Sequence, residues 1–148
     1  VNVGNGTAKT STGTQAVTGV GFTPVAALFT NISQTVVGIG NEGELSFGAM
    51  VSASARAAIN INVDGDSYPA DGLLDTANAL RINYQRSVSH AADFSSWDNG
   101  GFTLNYTTAS AQAYIYNYML FGYTPTAGDA IALTESRQTF MTISDAAR

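Results

Sequence analysis

At 148 residues the chain has the size of one domain, and folding at this length buries roughly 68–70% of the unfolded surface, so a core needs no disulfide or metal. Cysteine is absent and only 11% of residues are charged, against about 25% in an average domain; with 45% hydrophobic residues the composition is that of a folded chain. The net charge of −5 comes from scattered acids, and Lys9, Arg56, Arg81, Arg86, Arg137 and Arg148 form no cluster of the kind that binds phosphates, so no nucleic-acid partner is expected.

In chain order, Val1–Gly13 is mostly Gly, Thr, Asn and Ser and reads as an N-terminal arm, ordered only if something packs on it. A sandwich domain is expected over 14–123. Its first strand is Thr14–Val20, and Gly21-Phe22-Thr23-Pro24 breaks the chain before a short buried strand, Val25–Asn31. Val36–Ile39 is a further candidate strand. Leu45, Phe47, Ala49, Val51 and Ala53 alternate with Ser46, Gly48, Met50 and Ser52, the period of a half-buried strand. A helix competes over the alanine-rich Ala49–Ala58. Ile59, Ile61 and Val63 then alternate with Asn60 and Asn62, and Leu80, Ile82 and Tyr84 are expected inward, with Arg81, Asn83 and Gln85 outward.

The strongest local signal is Trp97–Tyr123, read as one hairpin. Asp98-Asn99-Gly100-Gly101 supplies turn chemistry, Phe102–Thr107 alternates, and Ala113–Tyr123 is apolar or aromatic at almost every position. Beyond Thr124-Pro125, Ala130–Leu133 and Gln138–Ile143 are short extended stretches within a C-terminal segment, 124–148, expected to pack on the sandwich or on a neighbouring subunit. Many short strands without an amphipathic helix argue an all-β antiparallel sandwich or jelly roll. No apolar run reaches ~18 residues, so no membrane-spanning helix is expected. No charged n-region and apolar h-region open the chain, so neither is a signal peptide.

Candidate chemistry is sparse. Asp64, Asp66 and Asp71 form an oxygen-rich loop that can hold Ca²⁺ or simply turn the chain; the spacing is not that of an EF-hand, and no metal or other cofactor is expected. His90 is the sole histidine; Ser87, Ser89 and Asp93 are near it in sequence, which is not the spatial convergence a triad needs. Glu42, Glu44, Asp93 and Asp98 offer no spacing that selects a glycosidase pair. Gly38–Gly43 has the GxGxxG form outside any βαβ unit and reads as a turn. Tyr114, Tyr116 and Tyr118 share one strand face. With Trp97 they are candidates for a subunit interface or a glycan platform, against the simpler reading that they line the core.

Two phrases carry a resemblance. Gly13–Pro24 (GTQAVTGVGFTP) running into Val25–Phe29, and Trp97–Leu104 (WDNGGFTL) followed by Tyr118–Gly122 (YMLFG), resemble the opening and the last hairpin of small β-sandwich domains in tailed-bacteriophage virion proteins. The span is about 13–122, with only general similarity in the middle, and Thr124–Arg148 lies beyond the pattern. The resemblance implies a non-enzymatic structural protein of the virion, a homotrimer. It would serve as a capsid decoration (cement) protein bridging subunits of the major capsid protein on the capsid surface, or alternatively as a receptor- or glycan-binding module of a tail fibre or spike.

Overall fold

The computed structural model describes residues 1–38, 44–62, 72–84 and 87–122. The strands, in chain order, are β1 (Asn2–Thr7), β2 (Gly13–Val17), β3 (Pro24–Asn31), β4 (Glu44–Ser52), β5 (Ala55–Asn62), β6 (Gly72–Asp75), β7 (Leu80–Tyr84), β8 (Ser87–Asp98), β9 (Gly101–Thr108) and β10 (Ile115–Gly122). They form two antiparallel sheets, one of six strands in the order β1-β10-β3-β4-β5-β6 and one of four in the order β2-β9-β8-β7. Packed face to face they make the expected β-sandwich. The alanine-rich stretch is β4, a tight turn and β5; the Ser52 hydroxyl accepts the Ser54 and Ala55 N–H groups and closes the turn.

Between the sheets lies an aromatic core. Phe29 meets Phe102 and Tyr116 edge-on, at 5.9 and 6.1 Å between centroids, and Phe102 meets Tyr118 at 5.5 Å. Leu104, Tyr106 and Leu120 complete it. Edge-to-face pairs of this kind add about 0.5–1.5 kcal/mol each beyond the area they bury.

Three expectations change. The first 13 residues are not a loose arm: β1 pairs with β10, Gly4 opposite Tyr118 and Gly6 opposite Tyr116. A Cβ on either glycine would lie 2.4 Å from the facing tyrosine hydroxyl, so the glycines leave room for two aromatic rings to lie across the edge strand. Trp97–Tyr123 is not a single hairpin either. The Asp98–Gly101 turn, with Gly100 at φ 81°, joins β8 to β9, whereas β10 sits in the other sheet between β1 and β3. The crossing follows from composition: β10 is apolar enough for a central strand with covered edges, and β1 supplies the glycine gaps its tyrosines need.

The third change is at the end of β7, where a register shift between Ile82 and Asn83 buries Asn83 and leaves Tyr84 exposed, the reverse of the expected facing. On β4 the alternation leaves the inward set open, and the structure decides it. Ser46, Gly48 and Met50 point into the sandwich and Leu45, Phe47 and Ala49 away from it. Val36–Gly38 is not a strand; Ile39 lies outside the described residues, as do Glu42, most of the Gly38–Gly43 motif, the Asp64, Asp66 and Asp71 loop, and the segment 124–148.

Candidate functional site

The facing of the β4–β5 hairpin leaves an exposed apolar surface among the described residues. Across the hairpin, Leu45 pairs with Ile61, Phe47 with Ile59 and Ala49 with Ala57 on the outer face, while Ser46–Asn60 and Gly48–Ala58 are the inward pairs. Phe47 is 43% exposed, Ile59 42% and Leu74 67%, whereas Asn60 is 2% exposed. The usual rule for a half-buried sheet is inverted.

What holds the inversion is polar contact between the sheets. Asn60 Nδ2 donates to Ser46 Oγ at 2.8 Å, and Asn83 Nδ2 of β7 donates to Asn60 Oδ1 at 3.1 Å. Asn31 Nδ2 donates to the Arg81 carbonyl at 3.0 Å, and Arg81 Nε donates to Asn83 Oδ1 at 3.0 Å. Arg81 also bridges to Asp75 at 2.7 Å. Burial pushes the Asp75 carboxyl up, but hydrogen bonds from Arg81, Asn78 and the Ala77 N–H outweigh it and hold the group below its ordinary value. Gly48 fixes the phase sterically. A Cβ there would sit 2.0 Å from the Ala79 carbonyl oxygen, so this strand position can face β7 only as glycine. A one-residue slip would turn Leu45, Phe47, Ile59 and Ile61 inward but would break every one of these contacts.

The outer face continues over the rest of the sheet. Leu28 lies beside Ala49, Met119 beside Leu28, and Val3 beside Met119, while Leu74 extends the Phe47–Ile59 row to β6. A shallow groove of about 420 Å³ runs along it, lined by Leu28, Thr30, Phe47, Ala49, Ala57 and Ile59. Among the described residues, no charged side chain takes an outward position in these pairings. Six strands about 4.8 Å apart and about 25 Å long give a flat footprint on the order of 700 Å², near the ~800 Å² per partner of a standard protein interface. The face is mixed, since Asn5, Asn117 and Thr30 share it with the apolar residues; its apolar part, on β3 to β6, is the kind of exposed patch that marks an interaction site.

The residues singled out from the sequence lie elsewhere. Tyr116 is fully buried and Tyr114 nearly so; Tyr116 packs on Phe29, and Tyr114 meets His90 edge-on at 5.5 Å. Tyr116 fills the sandwich and cannot serve as an interface or glycan platform, while Tyr114 is buried and reaches the surface only along the wall of an end cleft. Tyr118 is half-buried against Phe102. Trp97 is half-buried on Phe94 and Phe102, with its Nε1 donating to the Val51 carbonyl at 2.9 Å. Burial pushes the Tyr116 hydroxyl up to about 12 and Tyr106 higher still.

His90 is fully buried, edge-on to Tyr106 and Tyr114, and its Nε2 accepts the Ser110 N–H at 3.4 Å. Burial depresses its pKa below the ordinary value. Asp93 pairs with Arg56, Asp98 takes hydrogen bonds from Ser96 and Thr103 that lower its pKa, and Glu44 is buried on β4. Each acid has its own structural setting, and His90 has no hydrogen bond from Ser87, Ser89 or Asp93 among those of the described residues. The outer face was missed in the sequence because alternation reveals a strand's period and leaves open which set of residues faces in. The signal that could have found it was the pairing of Asn60 and Ser46 with an asparagine on a third strand. No protein-family model, no curated protein and no solved structure matches the chain.

Proposed function

We propose that this chain is a non-enzymatic structural protein of a bacteriophage virion, a capsid decoration protein that assembles as a homotrimer and bridges capsid subunits. The observation that carries an assembly role is the inverted β4–β5 hairpin, which buries Asn60 and Ser46 and turns Phe47, Ile59 and Leu74 to the surface. Covering apolar surface contributes about 25 cal/mol per Å², and a protein that binds only the assembled shell adds its binding free energy to that shell. An uncharged face makes contacts that depend weakly on ionic strength. The virion location itself is supported by the resemblance of the Gly13–Pro24 and Trp97–Leu104 phrases.

Sedimentation of the purified chain, alone and mixed with capsids lacking it, tests the reading. A trimer that cosediments with capsids and raises their melting temperature is expected. Loss of either the trimer or the cosedimentation in Phe47→Lys would place the outer face at that contact. A monomer that ignores capsids would overturn the reading.

A further inference from the structure

We propose that a cleft at one end of the sandwich, apart from the apolar face, binds a neutral oligosaccharide. The inference rests on its own observations and does not need the virion reading. The cleft encloses about 640 Å³, within the 300–1,000 Å³ usual for small-ligand sites. Its walls come from the chain after β3, the end of β7, the start of β8 and the β9–β10 connection, so four separate segments converge on it.

Their side chains have one chemistry. Gln34, Thr35, Tyr84, Ser110, Gln112 and Tyr114 line the cleft and the remaining lining residues are serines. Every one is uncharged, and every one carries a hydroxyl or an amide. Among the described residues, that set can donate to and accept from a polyol but offers no counter-ion to a phosphate, a carboxylate or an amine. Peptide and lipid partners are disfavoured for the complementary reason, since the only apolar surface among these lining side chains is two tyrosine rings. Those rings are centred 6.4 Å apart and inclined by 31°. Tyr114 is buried and Tyr84 is 37% exposed, so Tyr84 presents part of its ring to the cleft while Tyr114 backs it. A sugar has an apolar face of C–H groups and a rim of hydroxyls, which matches an aromatic platform surrounded by amides and hydroxyls.

The frame is pinned before any ligand arrives. The Ile115 N–H donates to the Gln34 carbonyl at 2.8 Å, joining two of the walls. Ser33 Oγ donates to the Asn83 carbonyl, the Ser110 N–H is held by His90 and the Gln112 N–H by Ser110 Oγ. Walls already ordered lose little entropy on binding.

The test uses the full chain and ligand-observed NMR with neutral tri- and tetrasaccharides built from glucose, galactose, mannose and N-acetylglucosamine, with sialylated and phosphorylated sugars alongside. Saturation transfer to at least one neutral sugar is expected, weakened roughly three- to tenfold by Tyr84→Ala, the equivalent of one lost aromatic contact, and retained in Tyr84→Phe. Gln112 is exposed, so Gln112→Ala carries the same test should Tyr84→Ala unfold. Phe47→Lys on the distant face should leave sugar binding intact. No transfer from any neutral sugar at millimolar concentration would overturn the proposal. So would binding confined to the charged sugars, or binding undiminished in both Tyr84→Ala and Gln112→Ala.

Discussion

Phe29 and Phe47 stand on neighbouring strands, β3 and β4, and meet opposite fates. Phe29 pairs with Gly48 and is buried between Phe102 and Tyr116; Phe47 pairs with Thr30 and faces outward. Around Phe29 the space between the sheets is filled by aromatic rings and leucines. Around β5 and β7 it is bridged by Ser46, Asn60, Asn83 and Arg81. One interior thus has an apolar part that drives folding and a polar part that fixes how the sheets meet. Where the polar part lies, the apolar side chains of β4 and β5 are left outside, and their exposure is a by-product of the seam beneath them.

The two phenylalanines give the largest expected difference. Phe29→Ala should cost about 3–5 kcal/mol, the usual range for emptying a buried aromatic site, measured by chemical denaturation with the single Trp97 as the fluorophore. Phe47→Lys should change the stability of the isolated chain by less than about 1 kcal/mol, because a long stem on an exposed strand face can keep its ammonium in water. It should nonetheless abolish the assembly proposed for the wild type. Equal destabilisation by the two substitutions would mean that the outer face is already covered within the chain.

Next comes the polar seam. Asn60→Ala removes the acceptor of Asn83 and the donor to Ser46, and stranding buried polar groups costs about 1–3 kcal/mol. Replacing Asn60 and Asn83 together by valine should cost less than the sum of the two single substitutions, since their mutual hydrogen bond is lost only once, although Arg81 Nε and Ser46 Oγ still lose their partners. A double substitution that costs the full sum of the singles would show that the network does not act as a unit.

These two regions also explain what was legible in the sequence. Turn chemistry at Asp98–Gly101 and alternation over β4, β5, β7 and β9 located the strands, since both signals are local. The phase of β4 and β5 was not legible, because it depends on Asn83 and on the Ala79 carbonyl facing Gly48, some 20 to 30 residues away. The same holds for β1, whose glycines gain meaning only opposite Tyr116 and Tyr118. The convergence of Tyr84, Gln34 and Gln112 on one cleft was likewise invisible, as it requires the topology.

A smaller effect is expected from acid. His90 lies in the aromatic part, between Tyr106 and Tyr114, and burial holds its pKa below the unfolded value of about 6.5. Below that pH the unfolded chain takes up the proton first, so the contribution of neutral His90 is complete above about 6.5 and is lost as the pH falls toward the depressed folded pKa. Denaturation series from pH 7 downward should show this slope, and His90→Phe should flatten it. An unchanged slope in that variant would assign the acid limb to carboxylates instead.

The smallest effect is the one that separates the two interiors most sharply. The Tyr106 and Tyr116 hydroxyls are buried within reach of each other, but neither makes a well-aligned hydrogen bond among the described residues. Their burial favours the neutral phenol and pushes the Tyr116 hydroxyl up to about 12. A hydroxyl without a well-aligned bond in the fold has lost its water with little compensation, so removing it mainly relieves a desolvation penalty. Tyr116→Phe should therefore change stability by less than about 1 kcal/mol and in the stabilising direction, with the ring still lying across Gly6. In the polar seam the corresponding removal of a side-chain polar group, Asn60→Ala, costs stability. A clear loss on Tyr116→Phe would show that the aromatic part too is held by a hydrogen bond, through an ordered water between the two tyrosines, and that the division between the two interiors is one of degree.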